Sequence, residues 1–145
     1  MYYLEDCADG RTWKGGGYLL TEREMVAFAR EWDPQPFHID AQAARRSVHG
    51  GLIASSVHLY GIMAKLLCGI GEFAGIGSLK HDMRIVNPGR PGDTLTLTFV
   101  CLSSRRSRSK PDRGLLETLM TLENQRGEVV LSSTSTLMLH ARPAA

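Results

Sequence analysis

The sequence predicts one α+β domain, spanning residues 1–145, in which an antiparallel sheet wraps around one long helix. A mostly apolar segment at residues 52–67 is long enough to be a core helix. Four stretches that follow it, from residue 76 to residue 139, have the alternation or the turn boundaries of β-strands. The chain has 145 residues, which suits a single domain with its own core.

Composition and charge are those of an ordinary soluble protein. Hydrophobic residues make up 43% of the chain, and the formal net charge is +2. Nucleic-acid binders are more often strongly basic, so the charge disfavours that class. The three cysteines are far apart and odd in number, which favours a reducing cytoplasm. No signal-peptide pattern opens the chain, and polar residues interrupt segment 52–67, so we expect a core helix and no membrane span.

The first third of the chain predicts an edge segment and a helix. Residues 1–17 indicate an extended segment that ends in a glycine turn, and residues 18–20 indicate a short strand. Thr21 and Glu24 have the spacing of a capping box, in which each caps the other's backbone amide. The following apolar residues share one helical face: Met25, Phe28, Ala29 and Trp32. Pro34 ends this helix, because proline disfavours helical geometry at the preceding residue.

The remaining elements follow from similar signals. Asp40 is a natural N-cap for a short helix at residues 41–46. The helix at residues 52–67 would be about 25 Å long, and it is apolar almost all round, which is typical of an enclosed helix. Turn clusters at residues 88–93 and 124–127 separate strands. The predicted strands are residues 76–86, 94–102, 115–122 and 129–139.

Asp33 and His38 are the candidate acid–base pair. Asp33 stands at a predicted helix C-terminus, where the helix dipole disfavours a carboxylate. It is either a solvated turn residue or an acid kept there for chemistry, with a raised pKa. Pro34 and Pro36 restrict the connecting loop, and the apolar neighbours of His38, including Phe37, anchor it in the core.

Gly50 and Gly51 precede the predicted start of the long helix. Glycine lets the backbone approach a ligand, and free amides at a helix start stabilise negative charge on a bound oxygen. A tight turn without a ligand is the structural alternative. Ser55 lacks the Gly-x-Ser-x-Gly surroundings of a hydrolase nucleophile. His38 and Asp40 alone are too few to predict a metal site.

A basic stretch separates the second and third of the predicted strands. Five of the nine residues at 105–113 are cationic: Arg105, Arg106, Arg108, Lys110 and Arg113. A solvated loop is one interpretation. The other is contact with phosphates, such as those of a nucleotide-bearing thioester carrier.

Two motifs together resemble those of the MaoC-like dehydratases and (R)-specific enoyl-CoA hydratases. They are Asp33-Pro34-Gln35-Pro36-Phe37-His38-Ile39-Asp40 and His49-Gly50-Gly51-Leu52-Ile53-Ala54-Ser55. The resemblance runs from about residue 18 to residue 139. It implies a hotdog fold, in which the sheet wraps the long helix, and a homodimer or higher homo-oligomer with sheets joined edge to edge. It also implies an acyl-CoA thioester substrate and neither a cofactor nor a metal.

The resemblance assigns roles to individual residues. Asp33 and His38 would hold a water that is added across, or removed from, the double bond conjugated to the thioester carbonyl. The amide of Gly50, with that of Gly51 as a second candidate, would hold the thioester oxygen. Three side chains are candidates for the substrate pocket: Phe37, Ser55 and His58. For His58 the alternative is a core histidine. Four are candidates for the CoA phosphates: Arg105, Arg106, Arg108 and Lys110.

Two other functions are compatible with the same fold. Hotdog thioesterases usually place their acid on the central helix, and segment 51–67 contains no acid. A non-catalytic acyl-CoA-binding subunit would keep the motif without turnover. The sequence departs from the resembled family at Gln35, where asparagine is frequent, and in a shorter connection between His38 and Gly50. Acyl chain length therefore stays open.

Overall fold

Five antiparallel strands form one sheet in the order β1-β3-β4-β5-β2. The strands are β1 Thr12–Leu19, β2 Gly75–Ile85, β3 Thr94–Arg106, β4 Arg113–Glu123 and β5 Val129–His140. The helices are α1 Glu22–Trp32, α2 Pro36–Ile39, α3 Ala41–Arg46 and α4 Ser56–Ile70. The structure, a computed structural model, describes residues 1–144. The predicted α+β class is confirmed, with α4 packed on the sheet.

Strand β1 is longer than the predicted strand at residues 18–20. It runs through the three glycines, which were predicted to form a turn. Gly16 has a φ of +149°, and a Cβ atom there would lie 2.6 Å from the Cα atom of Thr96 on β3. The glycines therefore let β1 approach β3 closely, and a bulge between Gly16 and Tyr18 follows.

Strand β3 has the predicted alternation but a later end. Its buried face carries Leu95, Leu97, Phe99 and Cys101, as the sequence indicated. The strand continues past residue 102 to Arg106, because Ser103 to Arg106 still pair with residues 114–117 of β4. The polar side chains of this extension hid it from a prediction based on hydrophobic alternation.

Helix α1 begins with half of the predicted capping box. The Thr21 hydroxyl accepts the amide of Glu24 at 3.2 Å. The Glu24 carboxylate accepts the hydroxyl of Tyr18 instead of the Thr21 amide. Met25 and Ala29 are buried as predicted, whereas Trp32 is 66% exposed at the last turn.

Helix α4 starts four residues later than predicted. Ser55 is its N-cap and accepts the Val57 amide at 3.3 Å. The preceding residues bury their side chains without being helical, because their amides find partners elsewhere: Ile53 donates to Phe37 and Ala54 donates to Gly89. Burial of Leu52 and Ala54 explains why the apolar run begins before the helix.

The long helix is covered on one side within a single chain. His58, Leu59, Ile62 and Met63 are buried, whereas Val57 is 54% exposed. The sheet therefore covers one side of this central helix, and the other side is open to solvent in the single chain. In residues 1–144 no helix combines the length and the hydropathy needed to cross a bilayer.

Candidate active site

The structure brings Asp33 and His38 together. His38 Nε2 lies 3.3 Å from Asp33 Oδ2, and the two side chains are 7% and 22% exposed, respectively. Asp33 is the C-cap of α1, and its amide donates to Ala29. His38 lies on the single turn of α2, which starts at Pro36 because proline suits the first helical position. The short, stiff connection thus directs both side chains into one small volume.

A main-chain carbonyl determines which nitrogen of the His38 ring carries a proton. His38 Nδ1 lies 2.7 Å from the carbonyl oxygen of Ile53. A carbonyl oxygen only accepts hydrogen bonds, so Nδ1 carries the proton and donates it. In the neutral imidazole Nε2 then has a free lone pair, and it faces the carboxylate of Asp33.

Two hydrogen-bond acceptors therefore point at the same place. In this neutral tautomer, His38 Nε2 and Asp33 Oδ2 both accept hydrogen bonds and do not bond to each other. A water molecule that donates one O–H to each satisfies both, and its oxygen lone pairs remain free to attack a third molecule. The arrangement can hold, orient and deprotonate water.

The pKa of Asp33 is lowered, contrary to the raised pKa predicted from its place at a helix end. The main cause is the Ser55 hydroxyl, which donates to Asp33 Oδ2 at 2.7 Å. Gln35 Nε2 adds a second hydrogen bond to Asp33 Oδ1 at 3.1 Å, which lowers the pKa further. Hydrogen bonds that favour the charged form outweigh burial, so Asp33 is a carboxylate across the neutral pH range.

Ser55 is a structural link that the sequence did not reveal. It was predicted as a pocket residue, but its hydroxyl both caps α4 and bonds Asp33. It is 1% exposed. Serine is a preferred N-cap, so the capping role could have been predicted from the serines at residues 55 and 56, whereas the bond to Asp33 has no such signal.

Removal of the Ser55 hydroxyl should move the pH dependence of activity. In Ser55→Ala the pKa of Asp33 rises relative to the parent, so the carboxylate becomes protonated at a higher pH. The acidic limb of the kcat–pH profile, for the reaction proposed below, should therefore move to higher pH. The free energy of unfolding should fall by about 1 kcal/mol because the N-cap is lost. Ser55→Thr, which keeps a hydroxyl, is the control. Superimposed acidic limbs for Ser55→Ala and the parent contradict this assignment.

The glycine segment is not at the start of α4. Gly50 has a φ of +66°, in the left-handed region that favours glycine, and its amide donates to the Ser47 carbonyl at 3.1 Å. The Gly51 amide donates to no acceptor within the described residues. Of the two amides predicted to hold a thioester oxygen, only that of Gly51 is without an acceptor among the described residues.

Phe37 lies beside the pair, and His58 does not join it. The Phe37 ring centroid is 4.6 Å from that of His38 and 4.9 Å from that of His49. His58 is instead stacked on Phe28 of α1 at 4.5 Å, with Nε2 at 3.8 Å from Glu24. Its Nδ1 is buried without a hydrogen-bond partner in residues 1–144. The structure places His58 in the contact between two helices.

His58 should make stability depend on pH. Burial lowers the pKa of His58, against an opposing effect of Glu24. The unfolded chain, with a pKa near 6.5, then binds more protons than the folded one, so the free energy of unfolding decreases as the pH falls below about 6.5. The free energy of unfolding is measured by urea denaturation between pH 5 and pH 8. It should change less steeply with pH in His58→Gln than in the parent. An unchanged pH dependence in His58→Gln contradicts the assignment.

The cationic loop lies far from Asp33 in the same chain. The turn that precedes β3 contacts the candidate site, since Gly89 accepts the Ala54 amide. From Thr94 to Arg106, β3 has 13 residues, which span roughly 40 Å. Arg106 forms an ion pair with Glu5. Phosphate contact by Arg105, Arg106, Arg108 and Lys110 stays a prediction.

The predicted N-cap role of Asp40 is confirmed. Its carboxylate accepts the amides of Gln42 and Ala43 at 2.8 Å and 3.1 Å. These bonds lower its pKa. Asp40 thus serves α3, although it lies two residues from His38.

Comparisons with known proteins agree with this description. The MaoC like domain matches residues 10–121. A solved MaoC-like dehydratase from Rhodospirillum rubrum is 38% identical with a TM-score of 0.91, and the match covers 99% of this chain and 100% of that one. The uncharacterized protein YdeM of Bacillus subtilis is 26% identical over 126 residues, which are 85% of this chain and 88% of YdeM.

A more distant solved structure shares the fold alone. R-hydratase PhaJ1 from Pseudomonas aeruginosa is 19% identical with a TM-score of 0.72, and the match covers 99% of this chain and 92% of that one. These neighbours bear out the hotdog architecture, with an antiparallel sheet around one long helix.

Proposed function

Because this chain belongs to the MaoC-like domain family, we propose that it is a hydro-lyase that adds water to, or removes it from, the 2,3-position of an acyl-CoA thioester. One observation carries the proposal. His38 Nε2 and Asp33 Oδ2 converge at 3.3 Å, while Ile53 holds the opposite nitrogen of the imidazole. This is the geometry that water addition needs, with two acceptors for the protons of one water molecule.

The proposed steps use groups of this chain only. In hydration, Asp33 orients the water and His38 Nε2 takes one proton while the water oxygen bonds to C3 of the enoyl thioester. Charge then moves to the thioester oxygen, and His38 returns the proton to C2. Dehydration is the reverse. The acid, the base and an amide donor are all protein groups, so the proposal includes neither cofactor nor metal.

The thioester oxygen needs hydrogen-bond donors as it gains charge. The sequence prediction named the amides of Gly50 and Gly51. Since the Gly50 amide donates to Ser47, we assign the oxygen to the open Gly51 amide.

The test is hydration of a panel of trans-2-enoyl-CoAs, from four carbons upward, followed by loss of the absorbance of the conjugated thioester. A thiol reagent in parallel reactions detects free CoA. Absorbance loss without free thiol supports the proposal. Free thiol release would indicate a thioesterase instead. Acyl-CoA binding without either reaction would indicate the non-catalytic alternative.

The exposed edge of the sheet supports a homodimer. Strand β2 pairs on one side with β5, and its apolar side chains are open to solvent: Leu79 is 58%, Met83 45% and Ile85 48% exposed. Asp82 and Arg84 flank Met83 in the sequence. An antiparallel pairing of two β2 strands centred on Met83 places each Asp82 opposite an Arg84, so the edge is self-complementary.

Light scattering coupled to size exclusion should therefore report a dimer or a higher oligomer. Met83→Lys introduces like charges at the centre of the proposed contact and should shift the mass to that of one chain. Leu102→Lys, at a similarly exposed apolar residue of β3, should leave the mass unchanged. A monomeric parent, or a Met83→Lys protein with the parental mass, contradicts the proposed interface.

A further inference from the structure

We propose that Arg90 is a positioning residue, which holds residues 49–53 so that the amides of Gly51 and Leu52 face the thioester oxygen. This inference rests on the proposed function, whose oxygen site it completes. It assigns a second amide, that of Leu52, to the site and gives Arg90 a role that the two sequence motifs did not indicate.

The Arg90 side chain binds two carbonyls of the glycine segment. Nη2 donates to the His49 carbonyl oxygen at 2.6 Å, and Nη1 donates to that of Leu52 at 3.4 Å. The Arg90 backbone amide donates to Asp93 Oδ2 at 2.9 Å, and Asp93 is 2% exposed. The arginine is thus anchored in the turn before β3 while its guanidinium bridges the carbonyls of His49 and Leu52.

These bonds orient two peptide planes, because the C=O and N–H of a trans peptide point in opposite directions. The His49 carbonyl points to Arg90, and the amide of Gly50 points away to Ser47. The Leu52 carbonyl also points to Arg90, and the amide of Ile53 donates to Phe37 at 3.3 Å. Both peptide units are therefore held from two sides.

Two amides lie between the held peptides. Those of Gly51 and Leu52 donate to no acceptor in residues 1–144. A Cβ atom on Gly51 would lie 3.3 Å from Arg90 Nη1, so the guanidinium packs against a bare Cα. Gly50 reverses the chain just before them with its φ of +66°. The segment thus presents two adjacent free donors in a restrained backbone.

The same segment controls the catalytic imidazole. The Ile53 carbonyl accepts His38 Nδ1, and the next residue, Ala54, donates its amide to Gly89, the neighbour of Arg90. Displacement of this segment moves the oxygen site and the His38 ring together. Loss of Arg90 should therefore reduce turnover more than substrate binding.

The experiment compares the parent with Arg90→Ala, Arg90→Lys and the control Arg23→Ala, which replaces an exposed arginine of α1. We expect Arg90→Ala to lower kcat about 10- to 100-fold, less than the roughly 10²- to 10³-fold loss for removal of an oxyanion donor itself. KM should change less, and added guanidinium ion should restore part of kcat. Arg23→Ala should match the parent.

A binding measurement accompanies the kinetics. Amide resonances of the ¹⁵N-labelled proteins are followed during titration with butyryl-CoA, a saturated thioester that cannot be hydrated. The Gly51 and Leu52 resonances should shift in the parent and in Arg23→Ala but not in Arg90→Ala. Arg90→Lys keeps the positive charge but has only one nitrogen and does not bind both carbonyls at once, so it should resemble Arg90→Ala. It replaces Arg90→Ala in the experiment if the alanine protein does not fold.

The outcomes separate this inference from the proposed function. The parent could lack hydratase activity while its Gly51 and Leu52 resonances still shift with butyryl-CoA. That result refutes the proposed reaction and supports the oxygen site. An active parent in which those two amides do not shift overturns the inference. Parental kcat in a folded Arg90→Ala or Arg90→Lys protein overturns it as well.

Discussion

Asp33→Asn should lower kcat for enoyl-CoA hydration by about 10²- to 10⁴-fold, the usual contribution of a general acid–base group. The asparagine still accepts the Ser55 hydroxyl through its carbonyl oxygen, so the local geometry is kept while the negative charge is lost. Asparagine has almost the same size and shape as aspartate, so the packing around this side chain changes little and the thermal unfolding midpoint should stay close to that of the parent. The measurement is kcat on the best enoyl-CoA of the panel together with thermal unfolding.

Asp40→Asn is the matched control, since Asp40 belongs to the same connection but caps α3. Asparagine and aspartate are similarly good N-caps, so this protein should retain the parental rate and stability. Parental turnover in Asp33→Asn, or an equal loss in both variants, would refute the assignment of Asp33.

His38→Ala is the second change with a large expected effect, again about 10²- to 10⁴-fold in kcat. Alanine removes Nε2, which takes the proton of the water, and it also leaves the Ile53 carbonyl without its partner. The lost hydrogen bond should cost about 1 kcal/mol of stability.

His38→Asn distinguishes the chemical effect from the structural one. Its amide nitrogen stands near the place of Nδ1 and can donate to Ile53, but the side chain has no basic atom at the place of Nε2. It should be folded and as inactive as His38→Ala, while the exposed His140→Asn keeps the parental rate. An active His38→Asn protein would show that His38 acts only as a support for the loop at Ile53.

Asp33 shows how tertiary contacts reverse a local argument. Its position at the C-terminus of α1 favours the neutral acid, because the helix dipole is negative there. A hydroxyl from residue 55, 22 positions away in the sequence, donates to the carboxylate and lowers the pKa instead. A direct hydrogen bond to the charged form is stronger than the dipole effect at a partly exposed helix end.

The sequence predicted the buried face of β3 better than the exact start of the long helix. Alternation places Leu95, Leu97 and Phe99 on the buried face of β3 because every second strand residue faces the same side. Apolar residues do not distinguish a helical turn from a buried loop, and Leu52 is buried in a loop. For that reason the helix was predicted from residue 52, whereas the N-cap at Ser55 sets its true start.

By itself the sequence determined the α+β class, the N-caps Thr21 and Asp40, and the candidate pair Asp33 and His38. These depend on short spacings, which residue preferences and two prolines restrict. Only the tertiary structure decided two properties of this pair: the ionisation of Asp33 through Ser55, and the proton on Nδ1 of His38 through Ile53. It also decided the free amides beside Arg90. Hydrogen bonds between residues 15 to 41 positions apart set all three, and such bonds exist only once folding has brought these helix ends and loops together.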